Sequence, residues 1–170
     1  MRAETKRIAL SGLLVSVMLV LGYVESLIPL GAAIPGIKIG LANSVLLYAI
    51  YVLGAKRAFV LMIVKVLLSG LTFGGVNAMM YSLAGGLLSM AAMLIVRRIP
   101  GTGILGVSVS GAAMHNLGQV ALAMLILHTG KLVYYMAALV VMGVATGVLT
   151  GVVAHSVLRI QACRPVLGDG

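Results

Sequence analysis

A short run of hydrogen-bonding side chains sits where lipid would be expected. Residues 111–123 read Gly-Ala-Ala-Met-His-Asn-Leu-Gly-Gln-Val-Ala-Leu-Ala, inside a long apolar segment. At 3.6 residues per turn, Gly111, His115, Gln119 and Ala123 fall at i, i+4, i+8 and i+12 and share a helix face, with Asn116 beside His115. Polar groups are costly in hydrocarbon and normally face a bundle interior or a wet cavity, where they mark a substrate or ion path. Lys65 is a second group of this kind. A lysine at mid-helix costs about 2.5–3.5 kcal/mol on insertion scales, although its stem can snorkel toward water. Ser69 and Thr72, at i+4 and i+7, extend its face as a polar track. The chemistry these residues offer is binding: one positive charge and several directional hydrogen bonds suit an anionic or strongly polar ligand.

Each group also has a structural explanation. His115, Asn116 and Gln119 would serve as interhelical hydrogen bonds, worth under about 1 kcal/mol per pair in membranes. Lys65 would pair with Glu25 or with carbonyls of a neighbouring helix. Three polar residues within five positions exceed what packing requires, so ligand contact is the expectation for this stripe, and anion binding for Lys65.

The rest of the chain is built to hold such a site within a membrane. Of 170 residues, 62% are hydrophobic and 9% charged. Spans of about 20 residues with short loops would give five to seven helices, and no run of alternating strands suggests a barrel. The expected fold is an all-α integral membrane protein, a single transmembrane domain over residues 1–170. Arg2, Lys6 and Arg7 precede an apolar run from Ile8 to Ile28 that is too long for a typical signal peptide, and it reads as an uncleaved first helix.

Six helices are predicted, over about 8–28, 39–53, 58–72, 76–96, 104–127 and 132–158. Pro29 ends the first, and Pro29 to Lys38 reads as a compact Pro/Gly loop folded over the bundle mouth. The second helix is short, so it begins inside the membrane or the loop dips to meet it. Nine cations, Arg2, Lys6, Arg7, Lys56, Arg57, Arg97, Arg98, Arg159 and Arg164, fall on one side, against Lys38 and Lys131 on the other. That bias alternates correctly through six spans and predicts both termini in the cytoplasm of a multi-pass cell-membrane protein. Glu25, Asn43 and Asn77 are then placed near the outer ends of their helices.

Small residues predict packing. Gly143, Gly147 and Gly151 form a GxxxG-like face on the last helix, and the fourth helix is dense in Asn77, Tyr81, Ser82, Gly85, Gly86 and Ser89. Gly12 and Ser16 form a weaker pair, suited to the bundle interior or to a partner protein. Tyr51, Tyr134 and Tyr135 suit the interfacial aromatic belts.

Several activities are excluded or made improbable. Cys163 is the lone cysteine, which rules out an internal disulfide. No P-loop is present, so the chain is not its own ATPase. Glu4, Glu25 and Asp169 are the only acidic residues and lie far apart in sequence, unlike the carboxylates that hold magnesium for diphosphate chemistry. The three histidines, His115, His128 and His155, are too widely spread for a metal site. The cations sit at helix ends rather than in a nucleic-acid-binding patch. No catalytic residue, metal or cofactor is therefore expected.

Four stretches together resemble a known family: Pro35-Gly-Ile-Lys-Ile-Gly-Leu-Ala-Asn43, Lys65-Val-Leu-Leu-Ser-Gly-Leu-Thr-Phe-Gly74, Tyr81-Ser-Leu-Ala-Gly-Gly-Leu-Leu-Ser89 and Gly106 through Gln119. In order and content they are similar to the Gx transporter family, also described as heptaprenyl diphosphate synthase component I. The resemblance implies two roles. One is a bundle like the substrate-binding S components of energy-coupling factor transporters: six helices, both termini inside, and an outward site under the loop after the first helix. Such a subunit captures a vitamin-like, prenyl or anionic small molecule and depends on a transmembrane coupling subunit and cytoplasmic ATPases. The other is an accessory membrane subunit in heptaprenyl diphosphate and menaquinone metabolism without catalysis of its own. A standalone proton-coupled carrier using His115 and Glu25 is the remaining alternative. The family often carries arginine where Lys65 stands; lysine offers a point charge in place of a bidentate fork. The site residues expected on these grounds are Lys38, Asn43, Lys65, Tyr81, His115, Asn116 and Gln119, with membrane lipid around the bundle and no nucleic acid.

Overall fold

A computed structural model describes residues 3–27 and 40–163, all helical apart from the connecting turns. The helices are α1 (Ala3–Leu27), α2 (Leu41–Val52), α3 (Ala55–Ser69), α4 (Gly75–Val96), α5 (Ile104–Leu127) and α6 (Leu132–Cys163), with a π-helical turn at Gly70–Gly74 after α3. Lys38 and the predicted lid over 29–38 lie outside the described residues.

Four helical runs are long and apolar enough to cross a membrane: Glu4–Leu27, Ala55–Val96, Ile104–Leu127 and Leu132–Ile160. The outer surface is apolar too, with Val20, Leu71, Leu125, Val141 and Ile160 exposed. A helix surface that is apolar on its outward face needs a lipid solvent. The chain is a multi-pass membrane protein.

The run from Ala55 to Val96 is folded on itself. Gly75 has φ 75° and ψ 168°, a conformation that only glycine adopts without strain. The chain reverses there, bringing Met79 against Gly70 and Met62 against Gly86. The two arms are each about 30 Å long at 1.5 Å per residue, enough to cross hydrocarbon separately. The sequence predicted a break at Phe73-Gly74-Gly75. The structure puts a π turn before it, wider than an α turn, where Thr72 donates to the Leu68 carbonyl at 2.7 Å.

Helices α2 to α6 close a ring: α2 packs on α3 and α6, α3 on α4, α4 on α5, and α5 on α6, while α1 packs against α2 and α3 and sends Met18 and Glu25 inward. The α5–α6 seam is the tightest part. A Cβ on Gly147 would fall 2.7 Å from the Val109 Cα, on Gly143 3.1 Å from the Ala112 carbonyl oxygen, and on Gly151 2.9 Å from the Ser108 Cβ. The predicted glycine face is this seam, where missing side chains let two backbones approach. A buried hydrogen bond of 3.0 Å between the Ser108 and Thr150 hydroxyls adds to it. Gly12, in contrast, has open space where a Cβ would stand, so its face is turned away from the described bundle.

One end of the ring is tied by cations. Arg57 pairs with Glu4 at 2.9 Å, and Arg97 donates to the Ile50 carbonyl at 2.9 Å while its guanidinium lies 4.5 Å from the Tyr51 ring centroid. Above this end Met18, Leu47, Ile50, Met62, Met90, Met93 and Val107 are buried together and fill the ring. The fill stops short of the other end, and there the polar residues meet.

Candidate functional site

Six helices contribute to one cavity of about 40 Å³: Glu25 from α1, Ala42 and Asn43 from α2, Lys65 from α3, Ser82 from α4, Ala112, His115, Asn116 and Gln119 from α5, and Thr146 and Thr150 from α6, with Gly40 at the start of α2. This is room for about three waters or one small polar head. Five residues singled out from the sequence, Asn43, Lys65, His115, Asn116 and Gln119, thus line a common space although they come from three helices. Tyr81 does not line it. A residue advances about 100° around a helix, and on α4 the inward position is taken by the neighbouring Ser82.

Local backbone features place these groups. Helix α2 is only twelve residues long, about 18 Å, so it is too short to cross and its N-terminus opens into the ring. Gly40, at φ 79°, starts it, and a Cβ there would touch Asn43 and Thr150. The Gly40 N–H donates to the Glu25 carboxylate. Glu25 is buried, and its carboxylate lies at the N-terminal end of α2. This short helix starts against the cavity, with Gly40, Ala42 and Asn43 lining it.

His115 and Gln119 are held from behind by Gly85. A Cβ on Gly85 would lie 2.7 Å from the His115 carbonyl oxygen, 3.1 Å from its Cε1 and 2.9 Å from the Gln119 Cγ. Gly118 repeats the contact one turn along, its Cβ position 2.8 Å from the Ala84 carbonyl oxygen. Helix α4 therefore presses directly on the polar stripe and leaves those two side chains little choice but the cavity. Asn116 differs: its Nδ2 donates to the Leu139 carbonyl of α6 at 2.6 Å. Its donor is engaged in tying α5 to α6, the structural role that the sequence offered as the alternative.

A second, larger cavity of about 240 Å³ shares Glu25, Lys65 and Ser82 with the first. It extends past Ser69, Gly70, Phe73, Gly74, Ala78 and Met79 to Gly22 and Ser26 of α1. The polar track proposed from Lys65 therefore reaches Ser69, while Thr72 is exposed and lies off it. A small third space of about 10 Å³ runs down from Lys65 and His115 to Met18, Met62 and Ser89, and there the packed core closes it. Glu25, Ser82, Thr146 and Thr150 were not selected as site residues from the sequence. Single serines and threonines in apolar helices are ordinary, and only the ring shows that these converge.

Residues 14–157 match the family described as heptaprenyl diphosphate synthase component I. The match spans most of the chain, which belongs to this family. Neither the curated proteins nor the solved structures provide a match.

Proposed function

We propose that this member of the heptaprenyl diphosphate synthase component I family is a non-catalytic ligand-capture subunit that holds a small anionic or strongly polar molecule in the ring cavity and acts through partners. The observation that carries this reading is the shape of the polar space. Among the described residues it is closed toward the cation-rich end: Lys65, His115 and Gln119 line the cup, and Met18 and Met62 are packed beyond Lys65 and His115. A cup closed on that side suits capture and hand-over, and any passage to the cation-rich end requires the helices to move. Lys65 supplies an ammonium group, the start of α2 adds the positive end of a helix dipole, and His115 and Gln119 give directional hydrogen bonds.

Orientation follows the cation bias: both termini and the Lys56-Arg57 and Arg97-Arg98 turns are cytoplasmic in the cell membrane, with the cup opening outward. Six spans result when the folded arms α3 and α4 are counted separately and α2 as a half-length span. In the import reading, the subunit resembles an S component and is energised by a transmembrane coupling subunit and ATPases. The family match favours a second reading, an accessory subunit whose partner is the remainder of a heptaprenyl diphosphate synthase.

One experiment tests capture and separates the two. Small molecules that co-purify in mild detergent are identified by mass spectrometry, and co-purifying proteins are identified from the same sample. A retained anionic ligand supports capture; ATPase partners then select import and a prenyl synthase subunit the accessory role. Protein that folds but retains no small molecule from cells or from added extract contradicts capture.

A further inference from the structure

The ring consists of two three-helix bodies, and the polar cavity lies on the boundary between them. Helices α1, α2 and α3 pack on one another, as α4 does on α5 and α5 on α6; the bodies meet chiefly where α3 faces α4 and α2 faces α6. Glu25, Asn43 and Lys65 line the cavity from the first body, and Ser82, His115 and Gln119 from the second. Within the second body, backbones touch. A Cβ on Gly85 would fall 2.7 Å from the His115 carbonyl oxygen and one on Gly147 2.7 Å from the Val109 Cα, backbone atoms with no rotamer to change. Where α3 and the π turn face α4, glycines receive methionine side chains instead. A Cβ on Gly86 would meet the Met62 Sδ at 2.9 Å, and one on Gly70 the Met79 Sδ at 2.9 Å. Methionine is unbranched and has three rotatable bonds, so such a contact refits as its neighbours move.

Three further features lie on this boundary. Beyond the cavity, Met18 and Met62 of the first body and Met90 and Met93 of the second are buried in one cluster. At the cation-rich end Arg97, which follows α4, clasps α2: it donates to the Ile50 carbonyl at 2.9 Å and stands 4.5 Å from the Tyr51 ring centroid. At the opposite end the chain crosses from one body to the other through the π turn and Gly75, whose φ is 75°. We propose that Arg97 is the latch of an inner gate. When it releases Ile50 and Tyr51, the two bodies swing apart at the cation-rich end about the Gly70–Gly75 turn, and the methionine cluster parts to join the cavity to that side. The clasp is suited to release, because a surface arginine on one carbonyl and one ring makes contacts weak enough to break and re-form. The Ile50 carbonyl lies in the last turn of α2, where carbonyls have no partner within the helix, so water can take the place of Arg97. This inference deepens the capture reading by naming what controls hand-over, and the motion is observable without a ligand.

Two buried serines serve as reporters, each replaced by cysteine in a background lacking Cys163. Ser89 borders Met18 and Met62 on the boundary, whereas Ser108 is sealed in the α5–α6 seam by its hydrogen bond to Thr150 and lies closer to the α4–α5 turn. Ser89→Cys and Ser108→Cys are each combined with native Arg97, Arg97→Ala, Arg97→Lys and Tyr51→Leu. A membrane-impermeant methanethiosulfonate is applied to spheroplasts or to inverted vesicles, whichever preparation exposes Ala55→Cys. Arg97→Ala should raise the labelling rate of Ser89→Cys at least about tenfold, the scale of one hydrogen bond to a charged group removed from the closed state. Arg97→Lys, which keeps the charge without the planar fork, and Tyr51→Leu, which keeps the carbonyl, should raise it less. Ser108→Cys should stay unreactive throughout. Equal rates at Ser89→Cys with and without Arg97 overturn the latch. A parallel rise at Ser108→Cys also overturns it, making Arg97 a general stability contact. If Arg97→Ala fails to fold, Tyr51→Leu decides by the same comparison, and an unchanged rate at Ser89→Cys overturns the proposal. Each of these failures leaves ligand capture standing, since capture is read from retained small molecules and not from labelling.

Discussion

Glu25 accepts the backbone N–H of Gly40 across fifteen positions of sequence, joining the end of α1 to the start of α2 at the rim of the polar cavity. A buried acid in a membrane protein is costly unless it has a partner, and here the partner is the first turn of a helix that begins inside the bundle. The same contact fixes where α2 starts and so where Asn43 stands.

Removal of that acceptor should therefore loosen α2. Glu25→Ala is expected to lower stability by about 1–3 kcal/mol, the scale of a buried donor left unsatisfied, whereas Glu25→Gln keeps an acceptor and should cost less. Thermal unfolding in detergent followed by circular dichroism measures both. Equal melting temperatures for wild type and Glu25→Ala would show that α2 is held by other contacts.

Glycine substitutions separate the tight seam from the open face. Gly147→Leu forces a side chain into the Val109 backbone and should abolish folding or sharply reduce yield, as overpacking predicts. At Gly12 an added Cβ meets nothing within 4 Å and the position is exposed, so Gly12→Leu should fold normally. Size-exclusion profiles and melting curves of the two variants give the comparison. A well-folded Gly147→Leu would contradict the α5–α6 seam.

Orientation is tested with cysteines placed in turn at Ala55 and Gly130 in a background lacking Cys163. An impermeant thiol reagent added to intact cells should label position 130 and spare position 55. The reverse pattern would overturn cytoplasmic termini and the outward cup.

Much of this architecture was legible in the sequence because membrane insertion simplifies the rules. Helices must satisfy their own backbone, so apolar length alone located α1, α4, α5 and α6 to within a few residues, and Gly143, Gly147 and Gly151 announced the seam. Lys65 and His115 stood out because their cost in lipid demands a reason. What the sequence could not supply was the partner of each polar group. Asn116 and Gln119 look alike on one helix, yet a carbonyl of α6 takes the donor of Asn116 while Gly85 holds Gln119 against the cavity. Tyr81 and Ser82 are adjacent, and which one faces inward depends on the rotation of α4, set by contacts at Gly85 and Gly118. The π turn before Gly75 left no periodic signal in so short a stretch.

Gln119 provides a graded check on the hydrogen-bonding wall. Gln119→Leu should weaken ligand binding by about 1–2 kcal/mol, one hydrogen bond left unmade, with little effect on folding. Unchanged affinity would leave Gln119 as packing against Gly85.

The central claim, that Lys65 brings its charge into a ligand cavity, is tested most directly by comparing the small molecules retained by wild type and by Lys65→Met after identical purification, with melting temperatures measured on the same samples. The substitution keeps length and removes the charge, so the ligand should be lost while stability is kept or raised. Retention of the same ligand at the same occupancy, or failure of Lys65→Met to fold, would contradict the account and make Lys65 a structural residue.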